Sequence, residues 1–327
     1  MRHEPSLHFT IRPEHLPDDY PGLAALLTIV HPDWPVTVEE LADEDAARDP
    51  RLYLTVFVAE LVQPLPDVNR LVGVASASHD TLAHRADKFK IDIRVLPNLQ
   101  GRGIGSRLYE VLLAHLQPLA PRELQTDIWE THERALHFVG DRGFIETWRR
   151  IDSSLDVSSF DFSPYVELKE RVNASGIAIT TYASLAVNSD RLVNLYELDK
   201  ALWRDVPYGD TVKERTLVQF AKEETLALKY IPEACFIAVH GERFVGYSNL
   251  TRGEGYFMTD MTGVLPAYRG KGVATLLKLY GIRYAQAHDN CELRVTNDSV
   301  NTAMLDLNAK LGFKRVGATI RFVKHIS

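Results

Sequence analysis

Two stretches of this chain carry the same arrangement of residues suited to holding a phosphate. One reads VLPNLQGRGIGSRL from Val95 to Leu108, the other VLPAYRGKGVATLL from Val264 to Leu277. Each is an apolar strand end, a Leu-Pro, a polar turn, and then Q/R-x-x-G-x-G/A leading into an amphipathic helix. A helix N-terminus presents unpaired N–H groups and a partial positive charge, so it attracts anions. Glycine at Gly103 and Gly105, and at Gly270 and Gly272 with the small Ala274, lets the backbone approach a pyrophosphate closely. Gly272 follows Gly103 by 169 positions, and Gly312 follows Gly143, in two later Gly-Phe pairs, by the same 169. A constant long-period offset with one anion-binding turn per copy points to tandem duplicated domains built around the same ligand.

Other phosphate motifs fail on residues. A P-loop needs Gly-Lys-Ser/Thr, but Lys271 is followed by Gly272 and Val273. A dinucleotide fingerprint needs G-x-G-x-x-G, and the sixth position counted from Gly101 is Ser106. Each turn also falls late in its copy, after several strands, whereas a dinucleotide-binding fold places it first. The chain is acidic overall, at −7, which disfavours nucleic acid as a partner. Yet Arg102 and Arg107 flank one turn and Arg269, Lys271 and Lys278 the other, consistent with a small polyanion.

The elements that position these turns repeat in the same order. In the first copy, strands are expected over Leu7–Pro13, Tyr53–Leu61 and the RLVGVASAS segment, with a proline-rich turn at Gln63–Asn69. Another covers Lys90–Val95, and the helix after the turn sets Ile104, Leu108, Leu112 and Leu116 on one face until Pro118. Leu124–Trp129 is the next strand, then a helix through Arg142. In the second copy a strand opens at Gly176, and Cys235–Leu250 is a hairpin turning at Gly241 and Glu242. Tyr256–Val264 enters the turn, and its helix aligns Val273, Leu277, Tyr280 and Tyr284. Cys291–Thr296 and a helix over Asn301–Leu311 follow. Hairpins followed by a βαβ crossover make a mixed, mostly antiparallel sheet flanked by helices, an α/β architecture in each of two tandem domains. The Ser-rich Ser153–Ser163 stretch places the division as 1–155, a linker at 156–170, and 171–327. A length of 327 residues suits two cores. The N-terminus has no apolar core of a signal peptide and no run approaches a membrane span, so a cytoplasmic protein is expected. Two cysteines, Cys235 and Cys291, fit reduced thiols and neither a disulfide framework nor a metal site.

These residues resemble the acetyl-CoA-binding motif of the GNAT (Gcn5-related N-acetyltransferase) superfamily, twice over. The Gly-Phe pairs resemble that superfamily's following helix-to-strand corner. The second copy is closer, because TNDSVNTAMLDLNAKLGF from Thr296 to Phe313 is similar to the N-x-x-x-N-x-x-M…N-x-x-L-G-F stretch of bacterial members. The resemblance implies acetyl-CoA lying in a splay between the fourth and fifth strands of each copy. Val95, and Thr262, Gly263 and Val264, would meet the pantetheine. Gln100, Gly101, Arg102, Gly103, Ile104, Gly105 and Ser106 would meet the pyrophosphate in one copy. Arg269, Gly270, Lys271, Gly272, Val273, Ala274 and Thr275 would do so in the other, with Asn301 as a further contact. Many members carry a tyrosine acid four residues before the Gly of Gly-Phe; Val139 and Asn308 stand there, and only Asn308 could hydrogen-bond a thiolate.

Acetyl transfer to an amine needs the amine deprotonated, since its pKa is about 10.4, and needs donors for the tetrahedral oxyanion. Asp260, four residues before Val264 and so on one side of the pleat with it, is the candidate base. Glu254 and Tyr256 are alternatives, and Asp92, His79 and Asp80 are comparably placed in the first copy. Cys291 is either a nucleophile or, with no adjacent histidine, a buried thiol. Trp203 and Tyr208 either line an acceptor pocket or pack. The expected activity is direct acetyl transfer from acetyl-CoA to a primary amine of a small molecule or peptide, centred on the second copy, in a monomer or homodimer with no metal and no membrane or nucleic-acid partner. The competing reading is an acyl-CoA sensor or scaffold, or one silent and one active domain.

Overall fold

The computed structural model describes residues 7–32, 35–63, 69–81, 84–185, 189–207, 214–222, 230–253, 255–288 and 292–326. Glu254, Tyr208, Cys291 and most of the proline-rich turn lie outside them. The chain forms two compact units.

Unit 1 opens with β1 (Phe9–Pro13), α1 (Tyr20–Val30) and α2 (Val38–Ala47), the last started by a reciprocal cap between Thr37 and Glu40. The hairpin β2 (Leu54–Leu61) and β3 (Leu71–Ser78) leads to β4 (Lys88–Val95), α3 (Ile104–Leu116), β5 (Glu123–Trp129) and α4 (Glu133–Gly140). The strands lie in the order β1-β2-β3-β4-β5. The α3 face expected from spacing is the one buried: Ile104, Leu108, Leu112 and Leu116 are all at most 1% exposed, packed on Phe57, Val74, Ala75 and Phe89 in one core.

Unit 2 takes Trp129–Thr131 and then Trp148–Ile320, the longer stretch starting within β6 (Ile145–Asp156). A 3-10 turn then leads to α5 (Val166–Ala174), β7 (Ile177–Thr181), α6 (Ser189–Trp203) and the short α7 (Leu217–Phe220). The hairpin β8 (Tyr230–His240) and β9 (Arg243–Arg252) turns at Gly241, whose φ is +62°. After it come β10 (Phe257–Val264), α8 (Val273–Ala287), β11 (Glu292–Asp298), α9 (Thr302–Lys310) and β12 (Lys314–His325). The strand order is β12-β6-β11-β10-β9-β8-β7.

The units do not part at 155/156. β6 pairs with β11 from Asp156↔Glu292 to Arg150↔Asp298, so residues assigned to the first domain belong to unit 2. Within the expected linker, α5 buries Leu168 and Val172, a helix stripe spaced by four. The chain's end returns to unit 1: Phe322 and Ile326 pack on its core, Ile326 N donates to Arg122 O at 2.9 Å, and Arg321 forks onto Asp127 at 2.8 and 3.2 Å. Both copies do have the mixed α/β architecture expected. No described helix is long and apolar enough to cross a membrane.

Burial pulls the Asp127 carboxyl up, but Arg321 and Lys90 outweigh it and hold its pKa below the usual carboxylate value. Its charged form therefore stabilises the fold above the unfolded carboxylate's pKa, and that contribution is lost as pH falls through the lowered folded value. Arg321→Met removes the buried partner and should cost about 3 kcal/mol at neutral pH. Thermal unfolding at pH 7 and pH 3 checks this, with a smaller difference at the lower pH.

Candidate functional site

The parallel pairs on which the two turns depend are short. β4 pairs with β5 only over Lys88–Lys90 and Glu123–Gln125, and β10 with β11 only over Phe257–Thr259 and Leu293–Val295. Beyond these ladders the strands part, and the parting opens toward the glycine turn in each copy. The splay implied by the family resemblance is thus present twice.

The turns have the same backbone. Gly101 and Gly270 have φ of +78° and +76°, and Gly103 and Gly272, at the helix N-caps, +85° and +83°. That left-handed region favours glycine and brings the first N–H groups of α3 and α8 together. Each turn is braced identically: Gln100 Nε2 donates to Val95 O at 3.1 Å, and Arg269 Nε to Val264 O at 2.9 Å. Arg269 also pairs with Asp205. Residues 100 and 269, expected at the pyrophosphate, therefore spend their side chains holding the strand end that precedes the turn.

Around the first turn stand two arginines that the motif did not include. Arg142 donates to Ser106 Oγ at 2.9 Å and to Phe138 O at 2.9 Å, with its guanidinium 3.5 Å from the Phe138 ring centre. Arg134 comes close enough to Gly101 that a Cβ there would meet its Nη1 at 2.9 Å. A Cβ on Gly103 would meet nothing within 4 Å, so this turn is open.

The second turn has a wall. A Cβ on Gly272 would meet Leu168 of α5 at 2.5 Å, so glycine is needed there for packing as well as for its backbone. Beside it opens a cavity of about 640 Å³ lined by Ser163, Tyr165, Arg171, Gly272 and Thr275, among others. Lys271 sits with its ammonium 5.4 Å from the Tyr268 ring centre. Asn301 caps α9 through its side-chain oxygen, which accepts from Met304 N at 3.3 Å.

Next to the second splay, β10 is bulged. Its register to β9 runs Thr259↔Leu250 and then Thr262↔Ser248, leaving Asp260 and Met261 opposite Asn249 alone. The pleat alternation restarts at this point, so the spacing of four does not place Asp260 and Val264 on one face. Asn249, 2% exposed, accepts from Met261 N at 3.0 Å and donates to Asp260 Oδ2 at 3.3 Å. Thr262 and Ser248 hydroxyls meet at 2.8 Å. Gly263 is small because Leu202 of α6 presses on it; a Cβ would meet Leu202 at 2.7 Å.

Behind the bulge lies an acid that sequence reasoning missed. Asp199 of α6 is 3% exposed and accepts from the Tyr247 hydroxyl and from Arg215, both at 2.6 Å. Burial pushes its carboxyl pKa up, helped by the charge of Asp260 and opposed by these two donors. Trp203 ends α6 with the Arg215 guanidinium 5.4 Å from its ring centre. Tyr256 packs under Arg294, 4.0 Å from its ring centre, and is 6% exposed, so it serves as core.

Unit 1 lacks this arrangement. β4 keeps an unbroken register to β3 from Lys90 to Val95, and Asp92 is paired with Arg94 at 2.7 Å. Val139 is buried at the place where Asn308 stands in unit 2. His79 packs against Tyr53, Phe89 and His84, its Nδ1 3.0 Å from His84 Nε2; burial and then His84 lower its pKa. Asp80 lies two residues past the end of β3.

In unit 2, Lys278 Nζ and Asn308 Oδ1 are buried without a hydrogen-bond partner among the described residues. Asn308 Nδ2 donates to Asn297 Oδ1 on β11 at 2.6 Å. Lys278 lies inside α8, 3% exposed, and burial alone lowers its pKa from 10.5 to about 7.

A sequence profile of the acetyltransferase (GNAT) family matches the chain twice, over residues 23–144 and 192–313. The chain belongs to this family. Its two units are tandem copies of that domain, and it is an acyltransferase enzyme. A mycothiol acetyltransferase of Gordonia bronchialis is 23% identical over 322 residues, spanning 89% of this chain and 96% of the relative. A GCN5-related N-acetyltransferase from Sphaerobacter thermophilus shares the fold at 20% identity and a TM-score of 0.69, covering 97% of this chain and 95% of its own. A tandem GNAT protein from the clavulanic acid biosynthesis pathway does so at 18% identity and a TM-score of 0.73, covering 97% and 98%.

Lys278 gives a signed test of the geometry. Below about pH 7 the folded chain carries a buried ammonium; from about 7 toward 10.5 the unfolded chain holds the proton and the folded one does not. Stability therefore rises with pH across that window. Lys278→Met should be more stable than the parent at pH 6, with the gap closing as pH rises, measured by urea unfolding at several pH values.

Proposed function

We propose that the chain transfers an acetyl group from acetyl-CoA to a primary amine of a small molecule, in a ternary complex within unit 2. The observation that carries this reading is the β10 bulge at the mouth of the β10–β11 splay. It leaves an exposed carboxylate, Asp260, at the point where the register of β10 to β9 shifts. The pyrophosphate would rest on the N–H groups of residues 270 to 275, with Lys271 and Arg171 nearby. The pantetheine would run along Thr262, Gly263 and Val264 into the splay. Asp260 would take the proton from the incoming amine, directly or through water. The relative named mycothiol acetyltransferase supports a small-molecule acceptor.

Unit 1 would hold the same cofactor without turning it over. Its turn, from Gln100 to Ser106 after Val95, is intact and flanked by Arg134 and Arg142. Its β4, however, is unbulged, and Asp92 is tied to Arg94. A silent, cofactor-bound first copy fits these features.

The anion sites are tested without disturbing the helices by putting a carboxylate into the first turn, where it suits the helix dipole but repels phosphate. Thr275→Glu should keep its melting temperature and lose one of two coenzyme A sites in calorimetry, together with activity. Ser106→Glu should lose the other site and keep activity. Retention of both sites in both variants would remove the cofactor from these turns.

Asp260→Asn should lower kcat by about 100-fold with little effect on the KM for acetyl-CoA, the loss shrinking as pH rises toward the amine's own pKa. Coenzyme A release across a panel of amines, from pH 6 to about pH 10, reads this out. An unchanged rate and pH profile would take the base role away from Asp260.

A further inference from the structure

The buried face of α8 is apolar except at Lys278. This lysine stands one helical turn after Ala274, so the two share a flank of the helix. A long side chain in a helix leans toward the N-terminus, here toward the glycine turn. The flank looks onto α9 and the corner after it. Lys278 Nζ lies 5.5 Å from the centre of the Phe313 ring, and Phe313 N donates to Asn308 O at 3.0 Å. The other copy shows the same outlook independently. Tyr109, 169 positions earlier, meets Phe138 of α4 and Phe144 edge-on, with ring centres 6.0 and 6.5 Å away.

Lys278 Nζ, against the Phe313 ring, and Asn308 Oδ1, on the residue whose backbone carbonyl accepts from Phe313 N, are an ammonium donor and an amide acceptor both buried without partners among the described residues. Leaving either unpaired is costly. Among the described residues no charged side chain bears on the lysine; burial moves its titration. Asn308 is already fixed through its amide to Asn297, which lies on β11 beyond the point where β10 parts from it. A thiol that reached both would satisfy them, accepting at sulfur from the lysine and donating S–H to the amide oxygen.

We propose that Lys278 is a catalytic residue of unit 2, its ammonium giving a proton to the coenzyme A thiolate as that leaves. The proposal rests on the functional reading above. The amine nitrogen attacks the thioester carbonyl carbon and a C–N bond forms. The tetrahedral adduct collapses, the C–S bond breaks with its electron pair on sulfur, and the proton on Lys278 Nζ moves to that sulfur. The proton shed by the amine goes to Asp260 or water, and the neutral lysine is recharged from solvent. The sum is thioester plus amine giving amide plus thiol.

The test titrates coenzyme A bound to the full chain, following thiolate absorbance in the ultraviolet, for the parent, Lys278→Met, Lys278→Arg and Thr275→Glu. In the parent, one bound thiol per chain should titrate a unit or more below free coenzyme A, because a facing ammonium stabilises the thiolate. That low titration should vanish in Lys278→Met and in Thr275→Glu. Lys278→Arg should keep it, since the charge remains, yet lose turnover, since guanidinium does not release its proton. In Lys278→Met kcat should fall by about 100-fold with the KM for acetyl-CoA little changed. Two intact coenzyme A sites in Lys278→Met with thiol titration and kcat as in the parent would overturn the proposal. Loss of no site in Thr275→Glu would instead overturn the functional reading beneath it, and the proposal with it.

Discussion

Two parallel strands that pair over three residues and then separate inside a sheet leave backbone groups without ladder partners, and much of this molecule answers that deficit. Buried N–H and C=O groups must be satisfied by something. Here the answers are side chains of fixed position. Arg269 bonds the carbonyl of Val264 and Asn249 takes the N–H of Met261, while Asn308 ties α9 to β11 through the Asn297 side chain. Each bond ties an element beside the gap to the strands that border it. A ligand that enters it meets groups already oriented, which is what cheap binding and effective positioning require.

The two copies show how far one scaffold can diverge around that feature. The splay, the left-handed glycines and the brace onto the preceding valine carbonyl are common to both. The polar equipment is not. Unit 2 has the bulge, the Asn249–Asp260 contact and the buried Asp199 with Tyr247 and Arg215. Unit 1 has a continuous β4 and a carboxylate neutralised two residues away by Arg94. Anion binding depends on backbone geometry, which duplication copies faithfully. Proton transfer depends on individual side chains in low-dielectric places, where a single substitution ends it.

The shared frame was legible in the sequence because it is local. Gly-x-Gly before an amphipathic helix, the spacing of Ile104, Leu108, Leu112 and Leu116, and the hairpin at Gly241 each depend on neighbours within a few positions. The splay came from family resemblance and no residue pattern announces it. What stayed hidden depends on contacts between distant segments. The helix α5 has a short stripe, Leu168 and Val172, in a polar stretch that reads as linker. The return of residues 321–326 to unit 1 depends on Asp127, far away in the chain. The bulge is invisible to period-two counting, which is why Asp260 was assigned to the face of Val264. Arg269 looked like a phosphate ligand because its charge was legible and its hydrogen bond to Val264 was not.

Lys278 sharpens the same point. In sequence it adds to the basic residues near the second turn; in the fold it lies under α8 against Phe313, where an ammonium is least welcome. A methionine of similar volume would serve packing better, since removing a buried unpaired charge relieves its desolvation cost. The counterpart position in unit 1 takes the uncharged route, with Tyr109 packed between Phe138 and Phe144. A fold that keeps a destabilising group at one of two equivalent positions has that group's chemistry as the remaining difference between them. The difference falls in the copy whose strand is bulged and whose carboxylate is exposed. Two buried titratable groups, Asp199 and Lys278, thus lie in the copy that also carries the exposed Asp260. Strain and buried charge gathered in this way mark where a protein gives up stability for reaction.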